Sequence, residues 1–427
     1  MNADYSISIN QHKLPSFYPI RLTITEELNT PFKGELFGII KHPENIPSII
    51  FNKISCVIHT NKDQRKFNGL ITSVNHQIDS QLHLITLTIE PEMYKLQRDV
   101  LYQVFENQNA IQIAESILSR YKIKYEIRVK KTLPKLKLHI QYKESSLNFI
   151  NRLFAAYGLY YTFEHTDSHH TVIIQDDMIF PRNSITRQKA QKVSVLNIKY
   201  KTKIHHSSIE SDRYQIEHPQ KTLRFCSYSK PRTHNLCQYT YPHSAEDNPQ
   251  LQYLQKIENQ RLQHNTLWDI NTNQHTSSVG DTVKLTHHVV IIKIIHQYYF
   301  AQEKSTNYNN VTPYKNSVTA VNCAHKHYDC KNYTVPIAAG VQLTRTEANK
   351  RPALANTHAS VKLCFTWKYK HPIWVRTAQT QAGLHHGAMT TYRNNSTTIV
   401  EFQHNNPNTP VAIGQIYSKV QPNPFKK

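Results

Sequence analysis

The sequence predicts a mainly β protein with α insertions: two barrel-like β units with a helical segment set between them, then a small C-terminal barrel. Three observations predict it. Short β-branched runs alternate apolar and polar residues, as in Arg21-Leu22-Thr23-Ile24-Thr25 and in residues 83–89, so one face of each strand is buried and the other is wet. Pro, Asn or Gly corners close these runs, at Asn29-Thr30-Pro31 and at His42-Pro43-Glu44-Asn45. Helical spacing is confined to a few windows, so sheets must close on one another to hide their apolar faces.

Residues 1–95 read as strands and form the first barrel-like unit. Residues 96–158 are the insertion. There Ile111, Ala114, Ile117 and Leu118 lie three and four apart behind Asn109, which predicts an N-capped amphipathic helix. A second stripe, Leu147, Ile150, Leu153, Phe154 and Tyr157, starts behind Ser145 or Ser146 and stops at Gly158. Between the helices, residues 125–128 and 136–140 read as strands. The second barrel-like unit spans about 159–321. It opens with a hairpin, residues 160–164 against 171–174. A helical stripe through Leu251, Leu254, Ile257 and Leu262 interrupts it, and β pattern resumes at Thr282. Residues 322–335 have weak periodicity and are the expected linker. From 336 to 421 the runs are short again: Trp374-Val375-Arg376, the Gly383 and Gly387 turn, Ile399-Val400-Glu401-Phe402, and Pro407-Asn408-Thr409-Pro410 leading to Gly414. That is the pattern of a small antiparallel barrel.

Composition narrows the function. The 427 residues are enough for several domains with a substantial core. Lys and Arg outnumber Asp and Glu by 51 to 30, a net +21, which suits acidic neighbours in an assembly or a polyanion. From Gly340 onward 11 basic residues face two acids, 11 − 2 = +9. No basic run interleaves with aromatics as in single-strand binders, so no stable nucleic-acid partner is expected. Six cysteines are too sparse for a disulfide framework in this length. The N-terminus lacks the pattern of a cleavable signal, and the most apolar segment, Val289-Val290-Ile291-Ile292, is cut by Lys293. Synthesis in the cytoplasm and export by a route that reads no N-terminal signal are expected.

Residue types suited to catalysis or metal binding are sparse. No Gly-x-Ser-x-Gly elbow, His-Glu-x-x-His pair, phosphate loop or dinucleotide fingerprint occurs, so no enzyme activity and no cofactor are expected. One cluster, Cys323, His325, His327, Asp329 and Cys330, holds metal-ligand types, but its spacing departs from the usual zinc arrangements. A reduced-thiol loop is the simpler reading. The pairs His205-His206, His287-His288 and His385-His386 read as surface strand ends, and Asp176-Asp177 as a turn.

A denser pattern lies at Gln141-Tyr142-x-Glu144-Ser145-x-x-Phe149-x-x-Arg152-Leu153, continuing into Gly158-x-Tyr160-Tyr161-x-Phe163-Glu164-His165. Together with Pro31-Phe32, Phe67-Asn68-Gly69 and the Trp374, Arg376, Gly383, Gly387, Phe402, Pro407, Pro410 and Gly414 series, it resembles the VgrG spike proteins of type VI secretion. The resemblance covers nearly the whole chain. It implies a phage tail hub-like domain over 1–335 and an OB-fold spike base over 336–421. It implies a homotrimer that caps a hexameric tube, meets baseplate components, carries separate tip or effector proteins, and touches a membrane only in passing. Assembly would occur in the cytoplasm, followed by secretion through the apparatus. The signature residues then act as scaffold, with Glu144 and Arg152 as an ion pair or cap that fixes the helix. Asn394-Asn395-Ser396 stands where the family has Gly-Asp; Asn tolerates the left-handed conformation, so the turn survives. Many relatives continue into a β-helix needle, whereas here Pro422-Asn423-Pro424-Phe425 and two lysines end the sequence, so no needle is expected. A phage or contractile-injection hub is the nearest alternative. A nucleic-acid-binding OB protein and a secreted enzyme come after it.

Overall fold

The computed structural model describes residues 4–425 except 10–11, 14–16, 42–48, 60–63, 181–194, 203–207, 215–221, 229–235, 241–265, 273, 286–287, 301–313, 324–327, 329, 331, 348–358, 369–370 and 420. The fold is mostly β. The helical stripe expected through Leu251 to Leu262 lies outside the described residues.

The N-terminal body is organised by strand Phe17–Glu27. Its alternating residues Leu22, Ile24 and Glu26 point inward. The chain turns at Asn29, whose φ is 55°, and returns as Thr30–Ile40. Asn29 suits this corner because its short amide tolerates positive φ. That amide accepts from Tyr161 N (2.6 Å) and donates to Leu159 O (3.0 Å), so the corner also anchors the later hairpin. The sheet continues through Leu82–Glu90, Gln64–Asp79, Lys53–His59 and Asp4–Ile9. Phe32, Leu36, Phe67, Ile71, Leu87 and Ile89 fill its core.

The two expected barrel units are not separate sheets. On its other side Phe17–Glu27 pairs antiparallel with His288–Tyr299, in register from Lys293↔Glu27 to Tyr299↔Arg21. Tyr314–Asn322, Thr266–Thr272 and Val195–Thr202 follow in order. Strands from both units therefore share one twelve-stranded sheet with two cores, the second built on Val289 to Ile294, Val318, Ala320 and Ile270. The reason is that a strand edge left open exposes a row of unpaired N–H and C=O groups, which lateral pairing of the units removes.

A buried polar group crosses this seam. Arg65 Nη2 donates to Glu26 Oε1 at 2.8 Å, with both side chains only 10% exposed. Its Nη1 donates to Thr276 O at 3.1 Å, and Ser278 Oγ is a further close partner. The guanidinium lies 5.0 Å from the Phe67 ring centroid. His296 Nδ1 meets the Tyr314 hydroxyl at 2.7 Å beside it.

The helical layer contains α1 (Tyr94–Arg98), α2 (Ala110–Arg120) and α3 (Ser146–Tyr157). Asn109 caps α2 in a reciprocal box: its side chain accepts from Gln112 N (2.9 Å) while Gln112 Oε1 accepts from Asn109 N (3.0 Å). Asn109→Ala is expected to cost about 1 kcal/mol, read as a lowered urea midpoint with an unchanged slope. Strand Tyr125–Arg128 runs parallel to His170–Gln175, which pairs with Tyr160–His165. The boundary expected at 158/159 therefore cuts through one layer. Tyr161, Val172 and Ile174 share a core with Ile113, Ile117, Phe149 and Leu153, because two helices need a sheet to cover their apolar stripes.

The C-terminal unit is a closed five-stranded barrel in the order Gln342–Thr346, Ser360–Phe365, Ile373–Thr377, Pro410–Ile416, Thr397–Phe402. All pairings are antiparallel except that of Ile373–Thr377 with Pro410–Ile416. Val361, Leu363, Phe365, Val375, Val400 and Phe402 are buried inside. At roughly 1.5–3 kcal/mol for each fully buried side chain of this size, these positions dominate the barrel's stability. The Asn394-Asn395 turn has Asn395 at φ 63°, the left-handed state expected of it.

Candidate functional site

The Gln141-to-Leu153 pattern lies where the N-terminal body holds the barrel. Strand Leu136–Ser145 pairs with Val100–Gln108, and its register slips between Gln141 and Glu144. Lys143 takes φ 46° there, so this is a β-bulge that re-aims the side chains on either side. Gln141, fully buried, closes the bulge: its Nε2 donates to Glu144 O (3.0 Å) and Ser146 Oγ (3.2 Å). Ser145 then caps α3 by accepting from Asn148 N at 3.1 Å. Gly158 ends α3 with φ 61° and ψ 41°, a conformation that costs a residue with a Cβ about 1 kcal/mol.

Glu144 and Arg152 form a bidentate ion pair. Arg152 Nε reaches both carboxylate oxygens (2.9 and 3.0 Å) and Nη2 reaches Oε1 (2.6 Å). The side chains are 5% and 13% exposed. The guanidinium also lies over Phe149, 4.7 Å from its centroid, and Phe149 stacks on Phe105. Arg152 Nη2 donates to Ile140 O (2.9 Å), so the pair pins strand to helix. Asn148 extends the arrangement to the connecting segment. Its amide donates to Glu144 Oε2 (2.5 Å) and Thr334 O (2.8 Å) and accepts from Thr334 N (2.8 Å). Residues 322–335, expected as a linker, are thus tied down at Thr334. They are also tied at Tyr328, whose backbone N and O both bond the Tyr160 hydroxyl (2.9 and 3.1 Å).

Tyr142 projects toward the barrel. It packs edge-on to Tyr102 at 5.1 Å and against Phe402 at 6.0 Å, and Gln342 Nε2 donates to its hydroxyl. Burial pushes the Tyr142 phenol up, helped by the neighbouring Tyr102. Trp367 stacks on Tyr102 at 5.2 Å and donates Nε1–H to Gln342 Oε1 at 3.0 Å. From the other side Asn408 Oδ1 accepts Ile140 N–H at 2.8 Å, and its Nδ2 meets His139 Nδ1 at 3.2 Å. Buried Pro407 and Pro410 flank Asn408, which gives that Pro-Asn-Thr-Pro run its physical purpose.

The other predicted positions are spread out. Phe163 packs edge-on to Phe32 at 5.2 Å, and Tyr160 is buried beside the second sheet core. Leu153 belongs to the helical core. Trp374 lies on the barrel exterior, 43% exposed, with Lys362 Nζ 5.2 Å above its ring. Arg376 is half-buried opposite Ser360. Gly383 and Gly387 shape an exposed turn, where Gly383 N donates to His386 O (2.8 Å) and a Cβ on Gly383 would strike the His386 ring. Gly414 pairs with Ile399.

His325, His327 and Asp329 lie outside the described residues. Cys323 and Cys330 pack against the second sheet core; among the described residues no group of metal-ligand side chains converges, and no helix is long and apolar enough to cross a membrane. Sequence reading missed Tyr102, His139, Gln342 and Trp367, and quoted Asn408 without a role; these are the partners that make the pattern a joint. The aromatic cluster Phe365-Thr366-Trp367 before a Pro-bounded strand was the one available signal.

The arrangement joins strand Leu136–Ser145, helix α3 and the barrel through a buried ion pair and the Asn408 bridge. The chain is 22% identical over 84% of its length to the type VI secretion system spike protein VgrG3 of Vibrio cholerae, covering 38% of that relative. It is 20% identical over 95% of its length to the spike protein VgrG1b of Pseudomonas aeruginosa, covering 59% of it. The chain thus spans less than two thirds of the length of each of these relatives. A solved E. coli protein, c3393, is described as a type VI secretion component similar to the T4 bacteriophage tail proteins gp27 and gp5. It superposes with a TM-score of 0.68 at 15% identity, covering 96% of this chain and 99% of that one. The model of the phage tail baseplate hub (GPD) family matches residues 25–306, so with about two thirds of its length inside that match, the chain belongs to the phage tail baseplate hub family.

Proposed function

We propose that the chain is the hub and spike base of a type VI secretion tip, a homotrimer that caps a hexameric tube and transmits its thrust. Two β units per subunit, fused edge to edge at the Phe17–Glu27 seam, would give three subunits six similar faces to offer the tube, so a trimer meets a hexamer without mismatch. The observation that carries the reading is the Gln141–Arg152 joint. A charge-paired, bulge-locked strand clamps the barrel by Tyr142 and Asn408, as a part loaded along its axis requires. We read the barrel as an OB-type spike base and the domain limits as 1–335 and 336–421. Baseplate proteins and separate tip or effector proteins are the remaining partners. The part is assembled in the cytoplasm, secreted through the apparatus, and crosses a membrane only during puncture. We assign it no catalytic role.

Light scattering of the purified chain, alone and with the tube protein of a type VI system, tests this. Three chain masses per particle and capped tube ends in electron micrographs are expected. A strict monomer that leaves tubes uncapped at tens of micromolar removes the proposal.

A further inference from the structure

We propose that His139 is an acid-sensitive latch, its neutral imidazole holding Asn408 in the single orientation that locks the barrel to strand Leu136–Ser145. Asn408 bridges two groups. Its Oδ1 accepts Ile140 N–H at 2.8 Å, which leaves its NH2 end facing His139 Nδ1 at 3.2 Å. An amide NH2 only donates, so Nδ1 must offer a lone pair and the imidazole proton sits on Nε2. Flipping the amide gives no escape, because its NH2 would then oppose Ile140 N–H. The turn also restrains Asn408, whose own N–H donates to Asn406 Oδ1 at 3.0 Å.

Protonating His139 would set N–H against N–H and break the bridge. The surroundings oppose it further. Arg152 of α3, bonded to Ile140 O, is the cation acting on the ring, and its counter-ion Glu144 is already engaged. On its own strand Lys137 lies two residues before it. On the neighbouring strand its register partner is Phe105, while Glu106 pairs with Leu138. The barrel presents Asn408. Burial first, then Arg152, holds His139 down to about 3.

The sign follows from linkage. With the joint open, a wetted His139 titrates near the ordinary imidazole value of about 6.5; with the joint closed it takes up no proton until far lower pH. The open form binds more protons between these limits, so acid favours opening. The open population grows by about 1 + 10^(6.5 − pH), roughly 100-fold at pH 4.5 relative to neutrality.

Hydrogen exchange of the full chain, corrected for intrinsic rates, reads this at a peptide containing Ile140, with α2 core peptides as reference. Between pH 7 and 4.5 the Ile140 peptide is expected to open roughly 100-fold more while the α2 peptides stay protected. His139→Gln, which accepts but cannot protonate, is expected to abolish that dependence. Asn408→Asp, which sets a carboxylate against the ring, is expected to reverse it, so that the joint tightens on acidification toward pH 5. An Ile140 peptide indifferent to pH overturns the proposal. So does a pH response that survives in both variants, or one in which the α2 peptides open in step with it.

Discussion

Arg152→Ala is expected to destabilise the protein by about 3–5 kcal/mol. The cost arises from the carboxylate left behind. Glu144 is 5% exposed, and without the guanidinium its carboxylate keeps the Asn148 amide at 2.5 Å as its hydrogen-bond donor among the described residues. An unpaired buried charge cannot recover its lost hydration. The Ile140 carbonyl loses its Arg152 donor as well. Because the pair sits where strand, helix and connecting segment meet, the variant is expected to unfold in two steps by urea, with the barrel releasing first. The double variant Arg152→Met, Glu144→Gln should regain much of the loss, since it removes both charges together. A single-variant cost below about 1 kcal/mol, the range of an exposed pair, would mean that Glu144–Arg152 does not hold the joint.

Arg65→Leu is expected to have an effect of similar size, about 3–5 kcal/mol, but in the body rather than at the joint. Arg65 links Glu26 on Phe17–Glu27 to the Thr276 and Ser278 loop of the second unit. Leucine fills part of the space over Phe67 yet removes the guanidinium from the buried Glu26 carboxylate, beside which His296 Nε2 lies 3.9 Å from Oε2. Urea unfolding followed by near-ultraviolet dichroism should show a single transition at lower midpoint, because the two units share one sheet and lose it together. Glu26→Gln combined with Arg65→Leu should recover stability. If the single variant unfolds in two separate transitions, the seam is not what couples the units.

Much of the local structure was legible. Asn109 and Gly158 act over three or four residues, so their capping chemistry can be read from spacing, and they stand at the helix ends where spacing placed them; of Ser145 and Ser146, which spacing left open, Ser145 is the cap. The hairpin Tyr160–His165 with His170–Gln175 follows from alternation around a polar turn. The Gln141 to Arg152 pattern was visible as a pattern, but its purpose was not. Its barrel partners Gln342, Trp367 and Asn408 lie about 200 to 270 residues away in sequence. Arg65 and Glu26 carried an unread signal: each falls in the inward phase of an alternating strand, with Phe67 and with Ile24. A charge in that phase announces a buried partner without saying where it is.

By itself the sequence determined the β class, the two capped helices, the turns that Asn and Gly permit, and the family pattern, because each depends on chemistry between near neighbours along the chain. Only the tertiary structure decided that two β units would share one sheet through Phe17–Glu27 and His288–Tyr299, that the segment after residue 322 would be bonded down, and that a bulged strand would grip the barrel through Tyr142 and Asn408. Those choices rest on pairing between residues hundreds of positions apart. Many partners satisfy such an exposed edge or buried charge equally well on local grounds, and only simultaneous packing of the whole chain selects one.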